Sequence, residues 1–102
     1  MRIMLACNAG MSTSLVVAKM QDAAKAQGKD YKIWAVEQGE IQNELGNFDV
    51  LLLGPQVRYL EKEYKPLCEQ KGKGFGVIPM QTYGRMDGKG CMELARKAFA
   101  DK

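Results

Sequence analysis

The sequence predicts an α/β sandwich, with a central four-stranded parallel sheet flanked by helices. Four short apolar segments alternate along the chain with segments whose apolar residues have helical spacing. One of the four, Asp49–Leu53, lacks polar alternation, which is typical of a strand buried on both faces of a parallel sheet. At 102 residues, with 46% hydrophobic and 26% charged residues, the chain suits a single soluble domain, residues 1–102, with its own core.

Each predicted strand is followed by a helical segment, as right-handed crossover connections require. The predicted strands are Arg2–Ala6, Tyr31–Val36, Asp49–Leu53 and Phe75–Pro79. The predicted helices are Ser12–Gln27, Gly39–Leu45, Gln56–Lys71 with an interruption or bend at Pro66, and Gly90–Ala100. A glycine-rich loop over Tyr83–Gly88 precedes the last helix.

Three unusual segments fall at one edge of this predicted sheet. In open α/β sheets, ligands bind outside the carboxyl ends of the strands. Cys7 follows the first strand, Gly54–Gln56 follows the third, and Tyr83–Gly88 lies beyond the fourth. The sequence therefore predicts a binding or catalytic site at this edge.

The segment that begins at Cys7 combines a thiol with the features of an anion-binding loop. Ala9 and Gly10 allow a bound group to approach the backbone, whose N–H groups form an anion nest. The positive end of the following helix favours a thiolate, and still more a phosphoryl group. The hydroxyls of residues 12–14 supply further donors and the helix N-cap. We therefore predict Cys7 as a nucleophile, with a phosphoryl-binding loop made of Asn8, Ala9, Gly10, Met11, Ser12, Thr13 and Ser14. A buried, inert thiol is the alternative.

Other classes of site find little support in the sequence. The loop has one glycine and no lysine, so it matches neither a Walker A motif nor a dinucleotide-binding motif. The chain has no histidine, and its three cysteines form no CxxC pair, so we expect neither a metal nor another cofactor. The net charge of +3 comes from scattered residues, so we expect no nucleic-acid partner. The chain shows no secretory signal and no apolar stretch long enough to span a membrane, so we expect a cytoplasmic protein with free thiols.

The position of Cys7 after the first strand resembles the layout of low-molecular-weight tyrosine phosphatases. Those enzymes carry an arginine six residues after the cysteine, and this arginine clamps the phosphate. Thr13 stands at that position here. Without the arginine we expect poor hydrolysis, so the loop favours a cysteine that holds a phosphoryl group and passes it on. A phosphatase-like hydrolase and a non-catalytic anion-binding module remain as alternatives.

Three motifs resemble the enzyme IIB component of the lactose/cellobiose (N,N'-diacetylchitobiose) family of the bacterial phosphoenolpyruvate-dependent sugar phosphotransferase system. They are Cys7 with the AGMSTS run of residues 9–14, the DVLLLGPQ run of residues 49–56, and Tyr83-Gly84 with Asp87-Gly88. Asn8 departs mildly from the serine that is more often found at that place.

The resemblance implies a phosphocarrier. Cys7 would accept a phosphoryl group from a phosphohistidine of the IIA component. It would then donate the group to a sugar similar to cellobiose, chitobiose or lactose, held by the membrane-embedded IIC permease at the inner face of the membrane. The absence of histidine fits this role, since the histidine step belongs to the partner.

Several other residues have both a functional and a structural interpretation. Gln56 and Tyr83 are accessory candidates beside the phosphoryl group, and each is equally compatible with a structural place. Met11 either packs into the core or lies exposed beside Cys7, in a docking surface that Val57, Tyr59 and Leu60 would extend. The remaining expectations concern single residues: a solvated side chain for Arg85, a helix cap at Asp87, and inert packing of Cys68 and Cys91 on helices.

Overall fold

The computed structural model describes residues 1–7 and 10–100, with backbone alone for 10–12 and 100. Strands and helices alternate through the described chain. The strands are β1 (Arg2–Cys7), β2 (Lys32–Glu37), β3 (Val50–Leu53) and β4 (Gly74–Val77). The helices are α1 (Gly10–Ala26), α2 (Glu61–Gln70), α3 (Met80–Gly84) and α4 (Gly88–Ala100).

The strands form one parallel sheet in the order β2-β1-β3-β4. Met4 at the centre of β1 pairs with Trp34 on one side and with Leu51 on the other. Because β1 and β3 are neighbours while the chain leaves β1 for β2, the connections diverge at the carboxyl end of β1, where such sheets bind ligands. Cys7 is the last residue of β1 and therefore lies at this point.

The core lies in two layers, one on each face of the sheet. Ile3 and Leu5 of β1 pack into the layer that holds α1 and α4, whereas Met4 and Ala6 pack into the layer that holds α2. This division follows the alternation of side chains along a strand. Cys7 shares the parity of Ile3 and Leu5, so its side chain is directed toward the layer of α1.

The α/β architecture and the four strands are as predicted, with ends that shift by one or two residues. The fourth strand is Gly74–Val77 instead of Phe75–Pro79. The helix predicted over Gly39–Leu45 is wrong in type, because two 3-10 turns, Gln38–Glu40 and Gln42–Glu44, occupy this connection. The buried side chain of Ile41 lies between them and anchors the connection to the core.

The prediction for Gln56–Lys71 has the interruption in the wrong place. A 3-10 segment, Pro55–Leu60, comes first, and the non-helical backbone lies at Val57 (φ −119°, ψ 23°). The α-helix α2 then continues through Pro66, which removes one backbone N–H donor without ending the helix.

The predicted loop Tyr83–Gly88 is also partly wrong, because it contains the end of α3 and the start of α4. Gly88 belongs to α4 for a packing reason. A Cβ at Gly88 would lie 2.3 Å from the backbone carbonyl carbon of Lys19 in α1. Gly88 therefore allows α4 to approach α1 closely.

Candidate functional site

Cys7 ends β1 beside the ends of two other strands. It pairs with Glu37 across the β1–β2 ladder, and its side chain is 1% exposed. On the other side, the N–H of Gly54 donates to the carbonyl oxygen of Ala6 at 2.9 Å. A Cβ at Gly54 would lie 3.5 Å from Cβ of Cys7. The glycine after β3 thus brings the backbone against Cys7, at the sheet edge where the sequence predicts that the two segments meet.

Thr13 supplies a hydroxyl to the thiol from the start of α1. It is 1% exposed, and its Oγ1 donates a hydrogen bond to Sγ of Cys7. Since α1 begins at Gly10, the hydroxyl residues 12–14 lie inside the helix, so the prediction that they supply its N-cap is wrong. The position that carries arginine in the phosphatase pattern therefore holds a neutral donor that contacts the sulfur.

Tyr83 reaches the same place from α3, 70 residues further along the chain. Its hydroxyl lies 3.0 Å from Oγ1 of Thr13, and the residue is 8% exposed. The structure therefore brings Cys7, Thr13 and Tyr83 together. The sequence indicates Tyr83 as a candidate but carries no signal for its contact with Thr13.

Gln56 is the second accessory candidate, and it also lies near Cys7. Its Oε1 would be 3.1 Å from a Cβ at Gly54, the same point that is 3.5 Å from Cβ of Cys7. The Gln56 side chain is exposed, as is Ser14 in α1. Both are accessible to a partner or ligand at this edge.

Part of the predicted loop lies outside the described residues. This applies to Asn8 and Ala9 entirely, and to the side chains of Met11 and Ser12. Their predicted contacts with a phosphoryl group stay predictions.

The other candidates occupy structural or exposed positions. Asp87 caps α4, because its Oδ1 accepts from the N–H of Gly90 at 2.9 Å. Val57 is buried and cannot extend an exposed docking surface, which corrects that expectation. Tyr59 is 63% exposed, and its hydroxyl donates to Oε1 of Gln38. Arg85 is exposed, and Leu60 is half-buried against the α2 layer.

Cys68 and Cys91 have the surroundings of packing residues on α2 and α4. Burial raises the pKa of each thiol to about 11. The nearby carboxylates of Glu69 and Asp87 act in the same direction, and Lys73 partly opposes the effect at Cys68. Both groups are therefore neutral thiols at pH 7.

Across residues 1–7 and 10–100, His, Cys, Asp and Glu side chains form no group of three that could hold a metal ion. In the same part of the chain, no helix is long and apolar enough to cross a membrane.

The fold and the position of the cysteine define a class: parallel α/β domains with a cysteine at the carboxyl end of the first strand, before a helix. Residues 2–94 match the family described as the lactose/cellobiose-specific IIB subunit of the phosphotransferase system. The chain belongs to this family.

Relatives of known name agree with this assignment. The chain is 40% identical over 94 residues to the oligo-beta-mannoside-specific EIIB component of Bacillus subtilis, covering 92% of this chain and 91% of the relative. It is 50% identical over 91 residues to two Lactococcus lactis proteins, a galactose-specific and a cellobiose-specific EIIB component, covering 84% of each chain.

Two solved structures share the fold. A cellobiose-specific IIB component from Borrelia burgdorferi superposes with a TM-score of 0.81 at 35% identity, covering 100% of this chain and 94% of the other. The lactose-specific IIB domain from Streptococcus pneumoniae gives a TM-score of 0.80 at 17% identity, covering 94% and 91%, and supports the fold alone.

Proposed function

We propose that this chain is a single-domain phosphocarrier in which Cys7 carries a phosphoryl group from a IIA component to a sugar. Sγ of Cys7 attacks the phosphorus of a phosphohistidine on IIA, and the electron pair of the broken P–N bond stays on the imidazole. A hydroxyl of a sugar held by the membrane component IIC then attacks the phosphorus and releases its proton to water. The S–P bond breaks, and its electron pair returns to Sγ. The domain therefore works at the inner face of the membrane, against IIC.

The observation that carries this proposal is the place of Cys7 at the carboxyl end of β1, beside the Thr13 hydroxyl, in a chain of this family. The sequence has no histidine, which fits a phosphohistidine carried by the partner. Thr13 stands where a phosphatase would carry the arginine that stabilises hydrolysis. These features support transfer over hydrolysis.

The predicted loop, Asn8 to Ser14, would hold the phosphoryl dianion through backbone N–H groups and hydroxyls at the N-terminus of α1. Gln56, exposed at the same edge, would donate its side-chain N–H to the group. This arrangement needs no metal and no other cofactor, because N–H donors balance the charge.

We infer that the choice of sugar is made mainly by IIC. The two relatives at 50% identity are named for different sugars, galactose and cellobiose. IIB sequences that are equally similar to this chain therefore serve systems for different sugars. For this chain we propose a β-linked sugar of the cellobiose, chitobiose or lactose kind.

The direct test is incubation of the chain with a phosphorylated IIA component, followed by intact-mass measurement. We expect a gain of one phosphoryl group that is lost in Cys7→Ser and retained in Cys68→Ser. The absence of any mass gain, together with sustained hydrolysis of an aryl phosphate, would identify a hydrolase. The absence of both would identify a binding module.

A further inference from the structure

Cys7, Thr13 and Tyr83 form a continuous hydrogen-bonded chain. Thr13 Oγ1 donates to Sγ of Cys7, and the Tyr83 hydroxyl lies 3.0 Å from Thr13 Oγ1. Thr13 is 1% exposed and Tyr83 is 8% exposed, so water is nearly excluded from the chain. The three residues come from β1, α1 and α3, so the packing of these elements fixes their geometry.

The two hydrogen bonds that link Tyr83, Thr13 and Cys7 allow only one assignment of donors and acceptors. A threonine hydroxyl has a single proton, and Thr13 directs it to the sulfur. Thr13 therefore has no proton left for Tyr83, so the phenol must be the donor of the second hydrogen bond. Both O–H dipoles then point toward Sγ, which is the arrangement that stabilises negative charge on the sulfur.

The packing of Tyr83 does not by itself account for its hydroxyl. The ring fills space in the layer of α1 and α4, and a phenylalanine ring would fill the same space. A buried hydroxyl loses its contacts with water and must find a partner inside the protein. In this structure that partner is the side chain that already contacts the thiol.

We propose that Tyr83 is a positioning residue that acts through Thr13 to stabilise the thiolate of Cys7. This inference rests on the proposed role of Cys7 as the phosphoryl carrier. The hydrogen-bonded chain favours the thiolate before it attacks phosphorus. It also favours the thiolate again when the S–P bond breaks and the electron pair stays on Sγ. Hydrogen bonds in a water-poor interior polarise one another, which lets the phenol influence a sulfur that it does not contact.

The test uses the purified 102-residue chain without any partner. The Cβ chemical shift of Cys7 is followed by NMR across a pH series, which reports ionisation of this thiol separately from Cys68 and Cys91. In Tyr83→Phe we expect the midpoint of Cys7 ionisation to rise by about 0.5 pH unit. Tyr64→Phe is the matched control, because it also removes one phenol hydroxyl but lies in the layer of α2. We expect no change of the midpoint there.

A double-mutant cycle separates action through Thr13 from a direct effect. In Thr13→Val the sulfur loses a charge-assisted hydrogen bond, and we expect the midpoint to rise by about 1 pH unit. Adding Tyr83→Phe to that variant should then have no further effect. A shift of equal size in both backgrounds would overturn the proposal, as would an unchanged midpoint in Tyr83→Phe alone. The measurement on Tyr83→Phe alone needs no Thr13 variant, so it tests the proposal even if Thr13→Val does not fold.

The charged groups around the site stay constant in these comparisons. Glu37 pairs with Cys7 in the sheet, and Asp87 follows α3. Both carboxylates are present in every variant, so their influence cancels in the differences. Because IIA is not used, failure of this test leaves the transfer experiment standing. A failed transfer experiment likewise leaves this measurement interpretable.

Discussion

The two ends of the sheet are built from different chemistry. At the amino end, Arg2 and Asp49 form an ion pair at 3.0 Å, and Asp49 also accepts from the backbone N–H of Arg2 at 2.8 Å. The ammonium of Lys73 donates to the carbonyl oxygen of Phe48 at 2.7 Å. These contacts tie β1 and β4 to the residues before β3.

At the carboxyl end, the neutral hydroxyl of Thr13 donates to the thiol, the Tyr83 hydroxyl contacts Thr13, and Gly54 lies against the cysteine. Neutral donors can stabilise a charge that appears and disappears during transfer, whereas a fixed ion pair stabilises one state. We infer that the contacts at the amino end serve folding stability, whereas those at the carboxyl end serve the proposed phosphoryl transfer. Changes at the two ends should therefore affect different measured quantities: phosphoryl transfer at the carboxyl end and folding stability at the amino end.

The largest expected effect is at the carboxyl end. Cys7→Ser should reduce phosphoryl transfer from IIA to background, because a serine hydroxyl is a far weaker nucleophile than a thiolate. The measurement is the initial rate of mass gain with phosphorylated IIA. Cys68→Ser is the matched control and should transfer normally while losing about 1–3 kcal/mol of unfolding free energy, since it buries a new hydroxyl. Loss of transfer in both variants would contradict the assignment of the transfer chemistry to Cys7.

Packing beside the site should give the next largest effect, on stability. Gly88→Ala places a Cβ 2.3 Å from the backbone of Lys19, so α1 and α4 must separate. We expect a loss of about 2 kcal/mol in unfolding free energy, measured by urea denaturation. Gly84→Ala, whose Cβ would have no atom within 4 Å, should be neutral or gain about 0.5 kcal/mol. Equal stability of the two variants would contradict the close approach of the helices.

A smaller effect is expected at Met86, which has a left-handed backbone (φ 51°) after α3. Met86→Gly relieves this conformation and should stabilise the fold by about 0.5 kcal/mol net of backbone entropy. Arg85→Gly, at φ −85°, should have the opposite sign. Urea denaturation of the two variants measures both. A stability loss for Met86→Gly comparable to that of Arg85→Gly would show that the backbone is unstrained there.

The smallest effect is expected at the amino end. The hydrogen bonds and charge of Arg2 hold the pKa of Asp49 below its usual value, despite an opposing effect of burial. Because the folded pKa is the lower one, this stabilisation is complete above about pH 4 and is lost as pH falls through the folded pKa. In Asp49→Asn, the unfolding free energy measured by urea denaturation should no longer show the decrease at low pH that protonation of Asp49 causes. Phosphoryl transfer should be unchanged. An altered transfer rate would show that the two ends are coupled.

Much of the fold was predictable because local signals agreed with the tertiary structure. The apolar run of Val50–Leu53 required a strand buried on both faces, and β3 is such a strand. The segment around Tyr83–Gly88 was not predictable, because its glycines indicate a loop. In the structure Gly88 is helical, since the backbone of Lys19 leaves no room for a Cβ. Such a reason exists only once α1 and α4 have packed.

The candidate site was likewise predictable only in part. Cys7 could be placed from the sequence, because the end of a strand and the start of a helix are local features. The contact of Tyr83 with Thr13 joins residues 70 positions apart and forms only when tertiary packing brings α3 beside the start of α1. No periodicity in the sequence encodes that contact.

The central claim, that this chain carries a phosphoryl group and does not hydrolyse it, is tested most directly by a chase. The chain is phosphorylated by IIA, purified, and mixed with unphosphorylated IIA. We predict that the phosphoryl group leaves Cys7 and returns to the histidine of IIA, because the S–P bond retains its transfer potential. Release as inorganic phosphate, at a rate independent of IIA, would contradict the account.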